Sequence, residues 1–230
     1  MNTSASLANA VYTNKTPVGF KKNKKLSDRR SKVYENEETG ELYIAYRGTD
    51  PSNKSDLFAD VAIAGDFKEY HPRFHEAEKK LNRVKKYYGK RREEPLRIHA
   101  VGHSLGGALT RYVAERNDIE SATVFNEGSN ALYDLKKELD LGKPYDPLDP
   151  GKKERDPTVL ERVGLAKPKS NTQITHYTTR SDPISMGSYV PRRNTTVEYV
   201  ARKDGLDPHT MMNFLPDEPA PVNVENYEIA

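Results

Sequence analysis

Short apolar runs recur along the chain and are separated by more polar segments. Leu42–Tyr46 and residues 98–101 are mostly apolar runs of the kind found in buried strands. Ser121–Phe125 is a third run of this kind. Residues 174–179 and Thr195–Val200 are rich in the β-branched and aromatic side chains that strands prefer. The pattern therefore predicts a strand at each of these places.

Two amphipathic segments lie between the first three of these strands. After Pro72, apolar side chains recur at helical spacing with lysines and arginines on the other face; the apolar set is Phe74, Ala77, Leu81, Val84 and Tyr88. After Ser104, the corresponding set is Leu105, Ala108, Leu109, Tyr112, Val113 and Ala114. This strand–helix–strand–helix–strand order predicts the α/β class with a largely parallel sheet flanked by helices.

The rest of the chain has weaker patterns. A chain of 230 residues can bury one sizeable core, so we expect a single domain over residues 1–230. Residues 1–40 are polar and basic and are predicted to form an N-terminal extension. Residues 132–171 are rich in Lys, Pro, Asp and Gly and predict a polar excursion with a short helix at each end. Residues 216–230 contain three prolines and predict an extended tail.

The charge balance limits the class of partner. The chain has 37 Lys and Arg against 34 Asp and Glu, a net charge of +3, so no overall field favours nucleic acid as a partner. A local basic cluster near the N-terminus consists of Lys21, Lys22, Lys24, Lys25, Arg29 and Arg30. We expect this cluster to be solvated surface, with peripheral contact to an anionic membrane surface as the alternative. The pattern does not specify an oligomeric state.

Cysteine usage and hydropathy exclude further classes. The chain has no cysteine, which excludes disulfides, thiolate catalysis and zinc sites built on sulfur. The first residues have no basic segment followed by an apolar run, so no secretory signal is visible, and no stretch is apolar enough to span a membrane. We therefore expect a soluble, cytoplasmic protein, with export by another route as the alternative.

A candidate nucleophile lies between a predicted strand and a predicted helix. Gly102 to Gly106 spell G-x-S-x-G around Ser104, and a strand-to-helix turn this tight exposes the serine hydroxyl and demands small neighbours. The amide of Leu105, at the helix N-terminus, would point at a developing oxyanion. Thr49, in the Y-R-G-T that follows another strand, offers a second donor. The alternative interpretation of Ser104 is an ordinary glycine-containing turn.

A serine nucleophile needs a base and an orienting carboxylate. Asp182 comes just past a predicted strand, and Pro183 fixes the turn that presents it; an ordinary Asp-Pro turn is the alternative. His209 is the one histidine beyond Asp182, so chain order favours it as the base. His176 is the rival, although its strand position favours a packing role. His103 is expected to face away from the serine.

Several motifs occur in the order found in one family. Residues 46–49 (Y-R-G-T) are similar to an F-R-G-T motif, and residues 56–60 (D-L-F-A-D) to D-W-x-x-D. Residues 71–74 (H-P-R-F) are similar to H-x-G-F, residues 102–108 are G-H-S-L-G-G-A, and residues 182–184 resemble an acid-bearing D-P-V turn. In these motifs the chain resembles the class 3 lipases, which include fungal triacylglycerol lipases and phospholipase A1 enzymes.

The resemblance implies an α/β-hydrolase fold and a serine ester hydrolase that acts on lipid esters through an acyl-enzyme. It implies Ser104 as nucleophile, Asp182 as acid, His209 as base, and Thr49 and Leu105 as oxyanion donors. It also implies that no metal or cofactor is needed, and it makes residues 57–67 the candidate lid. The alternatives are a catalytically silent module that binds a lipid or protein, and a thioesterase or short-chain esterase on the same fold.

Overall fold

The computed structural model describes residues 2–13, 15–49, 72–128, 170–180, 182, 185 and 194–216. Its helices are α1 (Asn2–Thr13), α2 (Pro72–Gly89) and α3 (Leu105–Arg116). Its strands are β1 (Phe20–Lys22), β2 (Ser31–Asn36), β3 (Leu42–Tyr46), β4 (Ile98–His103), β5 (Ser121–Phe125), β6 (Gln173–Thr179) and β7 (Thr195–Val200). A short 3₁₀ helix covers Met211–Asn213.

The described strands form one sheet in the order β1-β2-β3-β4-β5-β6-β7. The first three strands pair antiparallel, and β3 to β7 pair parallel with their neighbours. The α/β class and the largely parallel sheet predicted from the sequence are confirmed. In the parallel part, Tyr46 is opposite Gly102 and His103 is opposite Phe125, so the carboxyl ends of these strands meet at one edge of the sheet.

One face of the sheet is covered by α2 and α3. Because β3, β4 and β5 follow one another in both chain and sheet order, right-handed crossovers put both helices on the same face. Except for Ala114, which packs in another cluster with side chains of β5 and β6, the apolar positions predicted for both helices are buried in one cluster with side chains of β3 and β4. Within it, the rings of Phe74 and Tyr112 pack edge to face with centroids 5.1 Å apart. This packing holds α3 against α2, and α3 begins directly after the serine.

A second apolar cluster contains α1, which the sequence pattern did not predict. Leu7, Ala8 and Val11 of this helix are buried together with Val101 and Phe125. The predicted extension over residues 1–40 therefore contains a helix and two strands that belong to the fold. The segment was misread because α1 has no charged residue and much of its buried face is alanine, so the contrast between its two faces is low.

Other predicted segments cannot be compared with the structure. The predicted excursion over residues 132–171 lies outside the described residues except for Ser170 and Asn171, and so does the tail beyond residue 216. The candidate lid at residues 57–67 and the D-L-F-A-D motif also lie outside them. Within the described part of the chain, no helix combines the length and the apolar character needed to cross a membrane.

The buried position of α1 predicts a large cost for truncating one of its side chains. Leu7 is fully buried, so Leu7→Ala should lower the free energy of unfolding by about 3 kcal/mol. Val18 is fully exposed and is the control: Val18→Ala should change the free energy of unfolding by less than about 0.5 kcal/mol. Urea unfolding measures both values. Equal, small changes would mean that α1 does not pack on the sheet.

Candidate active site

Ser104 lies at the turn between β4 and α3 in a strained backbone conformation. Its φ is 58° and its ψ is −128°, a region that residues with a Cβ rarely adopt. The turn is held by a hydrogen bond from the Ser104 amide to the carbonyl of Phe125 at 3.0 Å. The Gly107 and Ala108 amides bind the Ser104 carbonyl. A seven-stranded, largely parallel sheet with a serine at such a turn is the arrangement of an α/β-hydrolase fold.

The glycines on either side of Ser104 are required by close backbone contacts. A Cβ on Gly102 would lie 2.1 Å from the carbonyl oxygen of Gly106, and a Cβ on Gly106 would lie 2.2 Å from the carbonyl oxygen of Tyr46. Both distances are far below van der Waals contact, and the atoms met are backbone atoms that cannot move aside. The G-x-S-x-G spacing therefore reflects packing of β3, β4 and α3 rather than chance.

Asp182 and His209, predicted as acid and base, are in direct contact. His209 Nδ1 lies 2.8 Å from Asp182 Oδ2, the carboxyl is fully buried, and the Ser185 hydroxyl donates to the same oxygen at 2.7 Å. A carboxylate oxygen accepts the Nδ1 proton, so the lone pair of the neutral imidazole is on Nε2. The pair has the geometry that an orienting carboxylate and a general base require.

Ser104 Oγ and His209 Nε2 are the atoms that a serine nucleophile and its base would use. Both are buried, and neither has a hydrogen-bond partner among the described residues. The ring centroid of His103, the residue before Ser104, lies 4.8 Å from that of His209. Ser104 and His209 therefore belong to neighbouring parts of the fold. Buried polar atoms normally have partners, so two unpartnered atoms at one edge of the sheet mark a site prepared for a ligand.

The expectation that His103 faces away from the site is wrong. Its Nε2 donates to the carbonyl oxygen of His209 at 2.6 Å, which places the ring beside the candidate base. Burial, with the Coulombic effect of His209 as a smaller cause, lowers the pKa of His103 from 6.5 to about 3, against the raising effect of that hydrogen bond. His103 is therefore neutral near pH 7 and holds the backbone of His209 as a donor. Sequence spacing could not reveal this contact between distant residues.

Asn126 and Thr179, which the sequence analysis missed, anchor the segment before His209. Asn126 has a φ of 39°, and its side-chain nitrogen Nδ2 donates to the carbonyl of Pro208 at 2.8 Å. Its Oδ1 accepts from the Thr179 amide at 2.9 Å, and the Thr179 hydroxyl donates to the same Pro208 carbonyl at 2.6 Å. The ends of β5 and β6 thereby hold the residue that precedes the base. The one available sequence signal was an asparagine directly after a buried strand, which tolerates positive φ.

The two predicted oxyanion donors come from the serine turn and from the loop after β3. Leu105 is the first residue of α3, where an amide has no acceptor within the helix. Thr49 is half-buried and follows Gly48, whose amide donates to the hydroxyl of Tyr12 at 2.9 Å. A Cβ on Gly48 would lie 2.6 Å from the carbonyl oxygen of His103, so this loop runs against the serine turn. Tyr12, from α1, was not predicted as part of this region.

His176, the rival base, occupies a different environment. It lies within β6, it is fully buried, and its Nε2 accepts a hydrogen bond from the Glu127 amide at 3.4 Å. An acceptor already used in this way is poorly suited to take a proton from serine. Nearby, Arg111 and Glu127 form a buried ion pair at 2.6 Å. Over the described residues, no group of three or more His, Cys, Asp or Glu side chains could hold a metal ion.

The backbone strain at Ser104 predicts that removing the Cβ of this residue raises the free energy of unfolding. Ser104→Gly should raise the free energy of unfolding by about 1 kcal/mol, because glycine adopts a φ of 58° without a Cβ clash. Ser104→Ala keeps a Cβ and is the control, expected within about 0.5 kcal/mol of the wild type. Denaturant unfolding distinguishes the two. A glycine variant less stable than the alanine variant would contradict the interpretation.

The low pKa of His103 predicts a specific acid sensitivity. Between pH 6.5 and about 3 the unfolded chain binds a proton at this residue and the folded protein does not, so stability falls as the pH falls through this range. His103→Gln retains a donor and removes the titration. As the pH falls, the free energy of unfolding of this variant should therefore fall less steeply than that of the wild type. The two slopes should differ by up to about 1.4 kcal/mol per pH unit. Identical slopes in unfolding experiments across this range would refute the assignment.

Comparisons with known proteins add a weak structural similarity. No protein-family model matches the chain, and no curated protein sequence matches it. Among solved structures, the chain is similar to the Lip2 lipase from Yarrowia lipolytica, with a TM-score of 0.47 and 15% sequence identity. The similarity covers 92% of this chain and 82% of that lipase. Similarity at this level does not identify a reaction or a substrate, which have to be inferred from the side chains of the site.

Proposed function

We propose that this protein is a serine carboxylic-ester hydrolase that acts on lipid esters, as a lipase or a phospholipase A1-like enzyme. The observation that carries the proposal is the combination of a strained Ser104 with an Asp182–His209 pair whose Nε2 is buried without a partner. A binding module has no physical need for a strained serine, and strain of this kind persists where it serves a mechanism. The lipid part of the proposal depends on the resemblance to class 3 lipases in G-H-S-L-G-G-A and Y-R-G-T.

Acylation is the first half of the proposed reaction. Ser104 Oγ attacks the ester carbonyl carbon while His209 Nε2 takes the hydroxyl proton, and the buried Asp182 carboxylate stabilises the imidazolium. Negative charge develops on the former carbonyl oxygen, and the amides of Thr49 and Leu105 are the donors proposed to stabilise it. The tetrahedral intermediate then collapses. The C–O bond to the alcohol breaks, and His209 gives its proton to the departing oxygen.

Deacylation repeats the same proton transfers with water. His209 Nε2 takes a proton from a water molecule that attacks the acyl-enzyme carbonyl, and the second tetrahedral intermediate releases the carboxylic acid and the Ser104 hydroxyl. The base must keep one orientation through both halves. The hydrogen bonds of Asn126 and Thr179 to the Pro208 carbonyl, and of His103 to the His209 carbonyl, support that requirement because they fix the backbone on both sides of the base.

The test combines a fluorophosphonate probe with p-nitrophenyl esters of increasing chain length. The wild type should be labelled and should hydrolyse the esters, and Ser104→Ala should do neither. His209→Gln should lower kcat/KM by about a thousand-fold or more, because the serine loses its base. His176→Gln is the matched control and should retain most of the activity, since glutamine can still accept from the Glu127 amide.

Four outcomes would contradict the proposal in whole or in part. Absence of labelling in the wild type would favour the catalytically silent module. Equal turnover by Ser104→Ala would mean that the serine is not the nucleophile. If His176→Gln loses activity and His209→Gln keeps it, the base is misassigned. A preference for short acyl chains or thioesters over long-chain esters would retain the serine mechanism and reject the lipid substrate.

A further inference from the structure

A second concave site lies between α2 and the turn that precedes β2. It is a cavity of about 450 Å³, and neither Ser104 nor His209 is among its lining residues. Its basic lining side chains are Arg29, Arg30, Arg73, Lys79, Lys80 and Arg83. Tyr46, Ala77 and Leu109 supply apolar surface to the same cavity. The basic side chains come from two separate parts of the chain, and the fold brings their positive charges together at one site.

Part of this charge is neutralised within the cavity. Lys80 is buried, pairs with the Asp28 carboxylate and donates to the Leu26 carbonyl at 2.6 Å. Arg30 pairs with Glu76 across the opening between the turn and α2. These two ion pairs account for both acidic residues in the lining. They hold the turn against α2 and give the cavity a fixed wall.

Four basic residues of the lining have no carboxylate partner among these pairs. Arg73 donates to the Arg47 carbonyl. Arg29, Lys79 and Arg83 are exposed, and none of these three forms a hydrogen bond or ion pair with any residue that the structure describes. They lie on both sides of the cavity, since Arg29 belongs to the turn and the other two belong to α2. Three unpaired positive charges around a concave site repel one another and attract an anion. Two of the three are arginines, whose planar guanidinium groups match the oxygens of a phosphate.

We propose that this cavity is a binding site for a phosphate group, carried by a small molecule or by a lipid headgroup. The apolar surface of Tyr46 and Leu109 suits the part of such a ligand that is attached to the phosphate. The volume of about 450 Å³ is large enough for a phosphate together with the group attached to it, and a cavity differs from the extended basic stripe that a nucleic acid strand requires. The site extends the N-terminal basic cluster, of which Arg29 and Arg30 are members, and its binding of phosphate does not require the chemistry of Ser104.

The first measurement is the binding of inorganic phosphate by calorimetry at constant ionic strength, with chloride replacing phosphate in the reference. The wild type should bind saturably. The triple variant Arg29→Gln, Lys79→Gln, Arg83→Gln should bind about ten-fold more weakly or not at all, because each change removes an unpaired cation. The control variant Lys15→Gln, Lys86→Gln, Lys90→Gln loses the same charge at exposed positions outside both the cavity and the N-terminal basic cluster, and it should bind phosphate like the wild type.

The second measurement distinguishes the two sources of phosphate. Sedimentation compares vesicles of phosphatidylcholine alone with vesicles that also contain phosphatidic acid. Binding to the acidic vesicles that is lost in the triple variant and kept in the control variant would identify a lipid headgroup. Phosphate binding with no vesicle binding would identify a soluble phosphate-bearing ligand.

Fluorophosphonate labelling of Ser104 in the triple variant keeps the two proposals separate. The labelling should equal that of the wild type, which shows that the fold is intact when phosphate binding is lost. If the wild type itself is not labelled, circular dichroism and thermal unfolding serve as the test of folding. Absence of saturable phosphate binding by the wild type, or equal losses in the triple and control variants, would overturn the phosphate site.

Discussion

The architecture depends on a backbone contact that excludes side chains. The carbonyl oxygen of Tyr46, at the end of β3, occupies the space that a Cβ on Gly106 would need. This approach lets α3 begin directly against the sheet, which forces Ser104 into its positive φ and turns the first amides of the helix toward the strand ends. The same approach brings the loop that follows β3, with Thr49, beside the turn. One steric requirement therefore sets the position of the serine and of both proposed oxyanion donors.

The candidate base, His209, depends on a different kind of support, which is polar. Asn126 at the end of β5 and Thr179 at the end of β6 converge on the carbonyl of Pro208. His103 at the end of β4 binds the carbonyl of His209. Adjacent strand ends thus anchor a segment that has little regular structure of its own. A loop held in this way can present a side chain with the precision that proton transfer needs, because its own backbone carbonyls are fixed by the sheet.

Secondary-structure elements and the serine turn could be predicted from local sequence patterns, whereas contacts between residues far apart in the chain could not. Five of the seven described strands were predicted, three from apolar runs and two from β-branched and aromatic content, and the two amphipathic helices followed from apolar patterns with strong contrast. The need for glycines around Ser104 followed from the demands of one turn. The alanine-rich α1 has no charged residue to mark its outer face, so its pattern did not separate it from a polar extension. The contacts of Asn126, Tyr12 and His103 join residues far apart in the chain, and no local rule predicts them. Asp182 was selected because it follows a predicted strand and His209 was selected by chain order, and their contact is a feature of the folded structure.

The hydroxyl of Tyr12 links α1 to residues that come later in the chain, and this link affects the order in which the protein folds. Through it α1 contacts the Gly48 amide and the His103 carbonyl, and α1 shares its apolar cluster with Phe214, beyond His209. Because α1 precedes these partners in the chain, it completes its packing only after the segment that carries His209 has been synthesised. During translation, a chain that already contains Ser104 but not yet Phe214 lacks both His209 in its place and this cluster. The candidate site would thus form only when the two ends of the described fold come together.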